Sequence, residues 1–208
     1  MHELDPGQAG LAAAGDVQAW RDVMRWRKAE RERLITERLA TDAQVRRRHA
    51  ERIAEGLERV IGDANGLTIS LYWPFRGEPD LRGLMERLAG RGARCALPVV
   101  VARGRPLLFR AWSPGAKLVP GVWNIPVPAD GAEVVPDVVV APVVGFDRAC
   151  YRLGYGGGFF DRTLAALPAK PRLFGVGYGQ AAIATIYPQP HDIPMDAVVT
   201  EAGVARPR

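Results

Sequence analysis

The chain has 208 residues, 48% hydrophobic and 25% charged, an ordinary globular balance that excludes disordered and fibrous classes. Its longest nearly apolar stretch, residues 134–146, is broken by Pro136, Asp137 and Pro142, so it is too interrupted to span a bilayer. The net charge is +5, and of the 28 basic residues only Lys28, Lys117 and Lys170 are lysines. Residues 21–59 hold 12 basic and 8 acidic side chains. That excess fits a solvated pair of helices or a surface for a polyanion. Nucleic acid would want aromatics among the charges, and only Trp26 lies there, with Trp20 just before it. A small anion is therefore the better match. The N-terminus begins acidic, without the basic segment of a signal peptide. Cys95 and Cys150 make no disulfide framework, and a cytoplasmic location is expected.

In chain order, residues 1–20 read as an N-terminal extension and 21–208 as one domain. Asp16 is placed to cap a helix that runs to about Leu39, with Val17, Trp20, Val23 and Met24 at helical spacing. Thr41-Asp-Ala-Gln44 fits a capping box that starts a second helix, ended by Gly62 and Gly66. Residues 67–73 form a short β-rich run. Residues 79–88 read as a helix with Pro79 in its first turn, stopped by Gly90 and Gly92. Strand patterns follow at 93–101, 107–112, 138–144, 173–178 and 197–200, with a helix at 159–167. Strands alternating with helices imply an α/β fold: a three-layer α/β/α sandwich with a mostly parallel central sheet, preceded by two N-terminal helices. The Pro/Gly-rich residues 113–136 form a long connection.

Chemistry concentrates at residues 138–167. An apolar strand runs to Phe146, and Arg152-Leu-Gly-Tyr-Gly-Gly-Gly158 then leads into a helix that contains Asp161 and Arg162. Glycines let successive backbone N–H groups converge, and a helix N-terminus adds its positive dipole end; both suit a phosphate chain. The run is neither a Walker loop nor Gly-x-Gly-x-x-Gly, since residue 159 is Phe. Structural turns use glycines too. Arg152 beside the loop and Asp161 beyond it favour the functional reading, because nucleotide chemistry needs a cation for phosphate and a carboxylate for Mg²⁺. Gly157 is expected to lie against phosphate, at a candidate position for a positive φ.

This segment resembles the signature of the 5-formyltetrahydrofolate cyclo-ligase family, roughly F-D-x-x-G-x-R-L-G-x-G-x-G-Y-Y-D-R. Ile69-Ser-Leu-Tyr-Trp-Pro-Phe-Arg-Gly-Glu78-Pro-Asp, Ala96-Leu-Pro-Val-Val, Phe109-Arg-Ala-Trp112, residues 121–128, Gly175-Val-Gly-Tyr and His191-Asp192-Ile-Pro-Met-Asp196 follow in the family's order. Gly157 stands where many members have Lys, Phe159-Phe160 where they have Tyr-Tyr, and Ala149-Cys-Tyr replaces a small polar-Gly approach. The resemblance implies conversion of 5-formyltetrahydrofolate to 5,10-methenyltetrahydrofolate with ATP and Mg²⁺, by a monomer or weak homo-oligomer.

It also implies site residues. Arg152 and Tyr155 are the catalytic candidates. Arg27, Lys28 and Arg31, with Arg152, Leu153, Gly154, Tyr155, Gly156, Gly157, Gly158, Phe159 and Phe160, are the ATP-binding candidates. Arg27 and Arg31 are four apart and share a helix face, with Lys28 as the competing register. Trp73, Glu78 and Tyr155 are the folate-binding candidates: the carboxylate accepts pterin N–H groups and the aromatics form flat walls. Asp161 and Asp192 are the Mg²⁺ candidates, and turn-closing roles stay open for them. Two other readings remain at this point: a paralogue with different chemistry on a similar ligand, and a basic RNA-binding module at residues 21–59.

Overall fold

The computed structural model describes the backbone of residues 6–207 and the side chains of residues 17–207. Its elements, in order, are α1 (Pro6–Ala40), α2 (Ala43–Ile61), β1 (Thr68–Ser70), α3 (Arg82–Gly90), β2 (Arg94–Val99) and β3 (Leu108–Trp112). Next come β4 (Leu118–Pro120), β5 (Pro126–Pro128), β6 (Glu133–Val134), β7 (Val138–Pro142), β8 (Gly145–Phe146) and β9 (Arg152–Leu153). The chain closes with α4 (Phe159–Ala166), β10 (Arg172–Val176), β11 (Ala197–Thr200) and β12 (Gly203–Ala205).

An eight-stranded sheet has the order β12-β11-β10-β7-β1-β2-β3-β6. The inner pairs β1–β2, β1–β7, β7–β10 and β10–β11 are parallel, while β3, β6 and β12 add antiparallel edges. In β7 the first four residues are all buried, because a central parallel strand is covered on both faces. Val138 and Val140 pack with Ile53 and Leu57 of α2 and Leu84 and Met85 of α3. Val139 and Ala141 face the opposite layer, where Phe160 and Leu164 of α4 pack. This alternation makes the α/β/α sandwich expected from the sequence. Among the described residues no helix is long and apolar enough to cross a membrane.

The two N-terminal helices are present, with different starts. Asp16 lies inside α1, which already runs from Pro6, so it is not at the helix start; residue 20 also falls inside this helix. Residues 1–5 of the expected extension lie outside the described residues. The cap of α2 is Asp42 rather than Thr41: its carboxylate accepts the Gln44 and Val45 N–H groups, at 2.8 and 3.2 Å. The Thr41 hydroxyl instead donates back to the Glu37 carbonyl. The third helix begins at Arg82, after Pro79, where the Asp80 carboxylate accepts the Arg82 N–H. The connection at 113–136 folds into the β4–β5 hairpin and the edge strand β6. A 3₁₀ turn at its tip holds Trp123 and Asn124 in the left-handed region, at φ 55° and 61°.

Replacing a capping aspartate by alanine orphans backbone N–H groups and costs about 1 kcal/mol. Asp42→Ala is therefore expected to lower stability by about that amount in urea unfolding, while Thr41→Ala changes it by less.

Candidate active site

A cavity of about 430 Å³ opens beyond the carboxyl ends of β1, β2 and β7. This is where open α/β sheets bind ligands, because the chain leaves adjacent strands in opposite directions there. Trp73 and Glu78 follow β1 and line one side. The opposite side is Arg152 of β9, the loop 154–158 and the first turn of α4, with Arg31 of α1 above the loop. The short β8–β9 hairpin delivers Arg152 to this wall.

The loop wall is built for an anion. Among the described residues, the backbone N–H groups of residues 154–158 donate to no protein acceptor. Gly156 and Gly158 have φ of 93° and 61°, which turns successive peptide units and starts α4 without a side-chain cap. Gly157 has no positive φ, contrary to the expectation from sequence; a Cβ there would instead lie 2.6 Å from the Phe159 ring. Arg152 is buried, its Nη2 donates to Asp161 Oδ2 at 2.6 Å, and its guanidinium lies over the Phe160 ring. Its Nη1 is buried with no acceptor. A buried, unpaired charged donor is costly, so this atom marks a place for an acceptor. Burial pushes the Arg152 pKa below its ordinary value, against Asp161 and Asp192, which raise it. Arg31 donates through Nε to the Gly154 carbonyl at 2.7 Å, bracing the loop from α1.

The opposite end holds a buried carboxylate. Glu78 is 6% exposed; Oε2 accepts the Phe75 N–H at 2.8 Å and Oε1 accepts the Tyr155 hydroxyl at 2.9 Å. Burial pushes its pKa up to about 7, against the Phe75 N–H, Arg38 and the Tyr155 hydroxyl. Trp73 and Phe75 supply flat apolar surface beside it, and Tyr155 meets Phe75 edge-on at 5.8 Å. One cavity therefore joins an anion-binding loop to a carboxylate flanked by aromatic rings.

Residues 23–201 match the 5-formyltetrahydrofolate cyclo-ligase family. The chain belongs to this family. It is 36% identical over 145 residues to a 5-formyltetrahydrofolate cyclo-ligase of Escherichia coli, spanning 66% of this chain and 79% of that protein. A 5-formyltetrahydrofolate cyclo-ligase of Mycolicibacterium smegmatis is 32% identical over 175 residues, 80% of this chain and 89% of that protein. The solved 5,10-methenyltetrahydrofolate synthetase of Aquifex aeolicus superposes with a TM-score of 0.75 at 28% identity, covering 86% and 92% of the two chains.

In this cyclo-ligase, Arg31, Trp73, Glu78, Tyr155, Arg152 and the loop as far as Phe160 all line the one cavity. Lys28 does not: it is exposed and outside the lining. Arg27 lines the cavity but is buried and committed elsewhere. Its guanidinium donates to the Ile186 and Tyr187 carbonyls at 2.8 Å each and pairs with Asp192. Leu153 touches the cavity while packing against Leu34, Val144 and Ile186. Most other charges of the basic stretch face water or pair locally, as Arg25 does with Asp22 and Arg33 with Glu30 and Glu37. Sequence reasoning missed Arg38, which is 4% exposed and donates to the Tyr155 hydroxyl at 2.7 Å. The signal was present, since positions 27, 31, 34 and 38 fall on one helical stripe.

Mg²⁺ needs carboxylate oxygens that are free to face it. Asp161 accepts Arg152 on one oxygen and the Ile193 N–H on the other. Asp192 accepts Arg27 and the Gln189 N–H; burial opposes its charge, yet these partners hold its carboxyl below the usual range. Among the described residues no three His, Cys, Asp or Glu side chains gather to hold a metal. Both carboxylates line the cavity, yet each balances a buried arginine, so the described side chains form no ready-made cage for Mg²⁺.

The Glu78 shift has a stability consequence with a definite sign. Between about pH 4.5 and 7 the native carboxyl keeps a proton that the unfolded chain has released, so stability falls as pH rises through this window. Glu78→Gln carries no titrating group. Its stability relative to the unaltered protein is expected to improve from pH 5 to pH 8, by on the order of 3 kcal/mol at most. Urea unfolding at the two pH values measures this, and an unchanged difference would mean Glu78 is ionised in the native protein at both.

Proposed function

We propose that this chain closes the 5,10-methenyl ring of tetrahydrofolate from its 5-formyl form in an ATP-dependent reaction, with residues 21–208 acting as one catalytic domain. The observation that carries this reading is a single cavity with two unlike ends. An orphan arginine donor and open loop amides suit phosphate, and a carboxylate between aromatic rings suits a pterin.

The chemistry needs both ends at once. A formyl oxygen bound as an amide is a poor leaving group. It attacks the γ-phosphorus, the bond to the ADP oxygen breaks, and the formyl oxygen now carries phosphate. N10 then attacks the formyl carbon, a carbon–nitrogen bond forms, and phosphate departs with the carbon–oxygen electron pair while N10 loses its proton. No covalent bond to the protein is required. The work of the chain is positioning and charge stabilisation. Arg152 Nη1 is poised for a phosphate oxygen, and the N–H groups of residues 154–158 surround the same chain of phosphates. Arg31 holds the loop against α1. Glu78 accepts pterin N–H groups, and Trp73, Phe75 and Tyr155 limit water and hold the rings flat.

The direct test mixes the protein with 5-formyltetrahydrofolate, ATP and Mg²⁺ and follows the methenyl absorbance band together with ADP. Product and ADP are expected to appear in step. ATP hydrolysis at the same rate without the folate would overturn the coupling. Arg152→Ala removes a donor whose contact strengthens as charge shifts in the transition state. It is expected to lower kcat and kcat/KM together by roughly one to three powers of ten, with a much smaller change in folate affinity. Thermal unfolding measured alongside separates this from the loss of the Asp161 partner. A folded Arg152→Ala with full turnover would remove Arg152 from the phosphate site.

A further inference from the structure

Arg38 lies near the end of α1, buried, and does not itself line the cavity, whereas Tyr155 and Glu78 do. A guanidinium has only donors. With Arg38 Nη2 2.7 Å from the Tyr155 oxygen, that oxygen accepts, and its one proton must point to another acceptor. Glu78 Oε1, at 2.9 Å, is that acceptor; the Phe75 carbonyl is more distant at 3.5 Å. Glu78 Oε2 meets the Phe75 N–H. Each carboxylate oxygen thus faces one donor and keeps a lone pair for a ligand. A proton on Glu78 would occupy one of these lone pairs and take an acceptor from the ligand, so the array receives pterin N–H groups as the anion.

The other groups near Glu78 do not supply this bias. Tyr72, after β1, donates its hydroxyl to the Pro79 carbonyl at 2.8 Å. Tyr178, after β10, donates to the Gly77 carbonyl at 3.1 Å. Arg46 of α2 and Glu201 act on Tyr178 with opposite signs, and Arg46 spends its guanidinium on the carbonyls of Arg38, Leu39 and Thr41. Arg38 is the cation that acts on Glu78. It is held against Tyr155 by ring contact at 5.8 Å and by the Val143 carbonyl at 3.5 Å.

We propose that Arg38 is a positioning residue for the folate: through the Tyr155 hydroxyl it orients Glu78 and holds it as the anion that accepts the pterin N–H groups. This rests on the cyclo-ligase reading given above. Arg38 touches neither ligand. It directs the one proton that decides how Glu78 is presented, and its charge opposes the effect of burial on that carboxyl.

The test titrates 5-formyltetrahydrofolate and ATP separately, by tryptophan fluorescence, across pH 6 to 9. The proteins are the unaltered chain, Arg38→Met, Arg38→Lys, Tyr155→Phe and the double variant Arg38→Met/Tyr155→Phe. Folate affinity of the unaltered protein is expected to rise with pH as Glu78 ionises. In Arg38→Met the midpoint of that rise moves up by about one pH unit, and folate affinity at pH 7 falls about tenfold or more, while ATP affinity stays within about twofold. Arg38→Lys, which keeps the charge, recovers part of the midpoint. Tyr155→Phe keeps the ring and loses only the hydroxyl, so it tests the same link without disturbing α1. If the two residues act in series, the double variant loses little more than the worse single one. Equal losses for ATP and folate, an unmoved midpoint, or additive losses would overturn the proposal and leave Arg38 a packing residue. Failure of the unaltered protein to bind the folate at any pH would instead overturn the cyclo-ligase reading itself.

Discussion

The site depends on a stripe of buried and half-buried arginines along α1. Arg27 reaches the segment before Asp192, Arg31 the glycine loop, and Arg38 the Tyr155 hydroxyl. These partners lie more than 110 residues along the chain, so α1 is a common frame for the segment 186–192 and for the glycine loop, which both Arg31 and Arg38 hold. Burying a guanidinium is expensive unless its donors find acceptors. That requirement ties each loop to α1, because a carbonyl, carboxylate or hydroxyl oxygen must come to the donors. The apolar contacts of Leu34 with Val144, Leu153 and Ile186 set the distance, and the arginines set the register.

Within that frame, the degree of satisfaction differs from residue to residue in a way that follows the chemistry. Arg27 is saturated: two carbonyls and a carboxylate account for its guanidinium. It acts as a structural tie. Arg152 is incomplete, with Asp161 on one nitrogen and nothing on the other. The same contrast holds for the acids, since Asp192 is surrounded by donors while Glu78 keeps a lone pair on each oxygen. Incomplete groups cost folding free energy; Arg152 and Glu78 line the cavity where a ligand can repay it, and Arg38, whose Nε is also buried without a partner, stands behind Tyr155.

Much of this was legible in the residues. The unbroken apolar run of β7 signalled a central parallel strand, and the glycine run between Arg152 and Asp161 marked the anion wall. Glu78, just past a strand end, pointed to the second wall. What the sequence could not display was pairing across distance. Asp161 and Asp192 look like open carboxylates until the fold brings Arg152 and Arg27 to them. Lys28 and Arg27 are adjacent in sequence, and only the rotation of α1 decides that one is buried and the other faces water. The strands β8 and β9, two residues each, are too short to leave a period, yet they carry Arg152 to its wall. Arg38 belonged to a visible stripe, but nothing local linked it to Tyr155.

The turn that precedes Arg152 has a consequence of its own. Cys150 sits there at φ 60°, fully buried, with its thiol 3.6 Å from the Ala205 carbonyl of the edge strand β12. Burial raises its pKa and keeps reagents out, so alkylation of the thiol needs local opening around the turn, where β12 is one of its covers. Its labelling rate is therefore a clock for that local opening, read at the residue two positions from the phosphate-facing arginine. Slower labelling on addition of a triphosphate would register, in covalent chemistry rather than in turnover, how firmly an occupied anion wall holds the hairpin behind it.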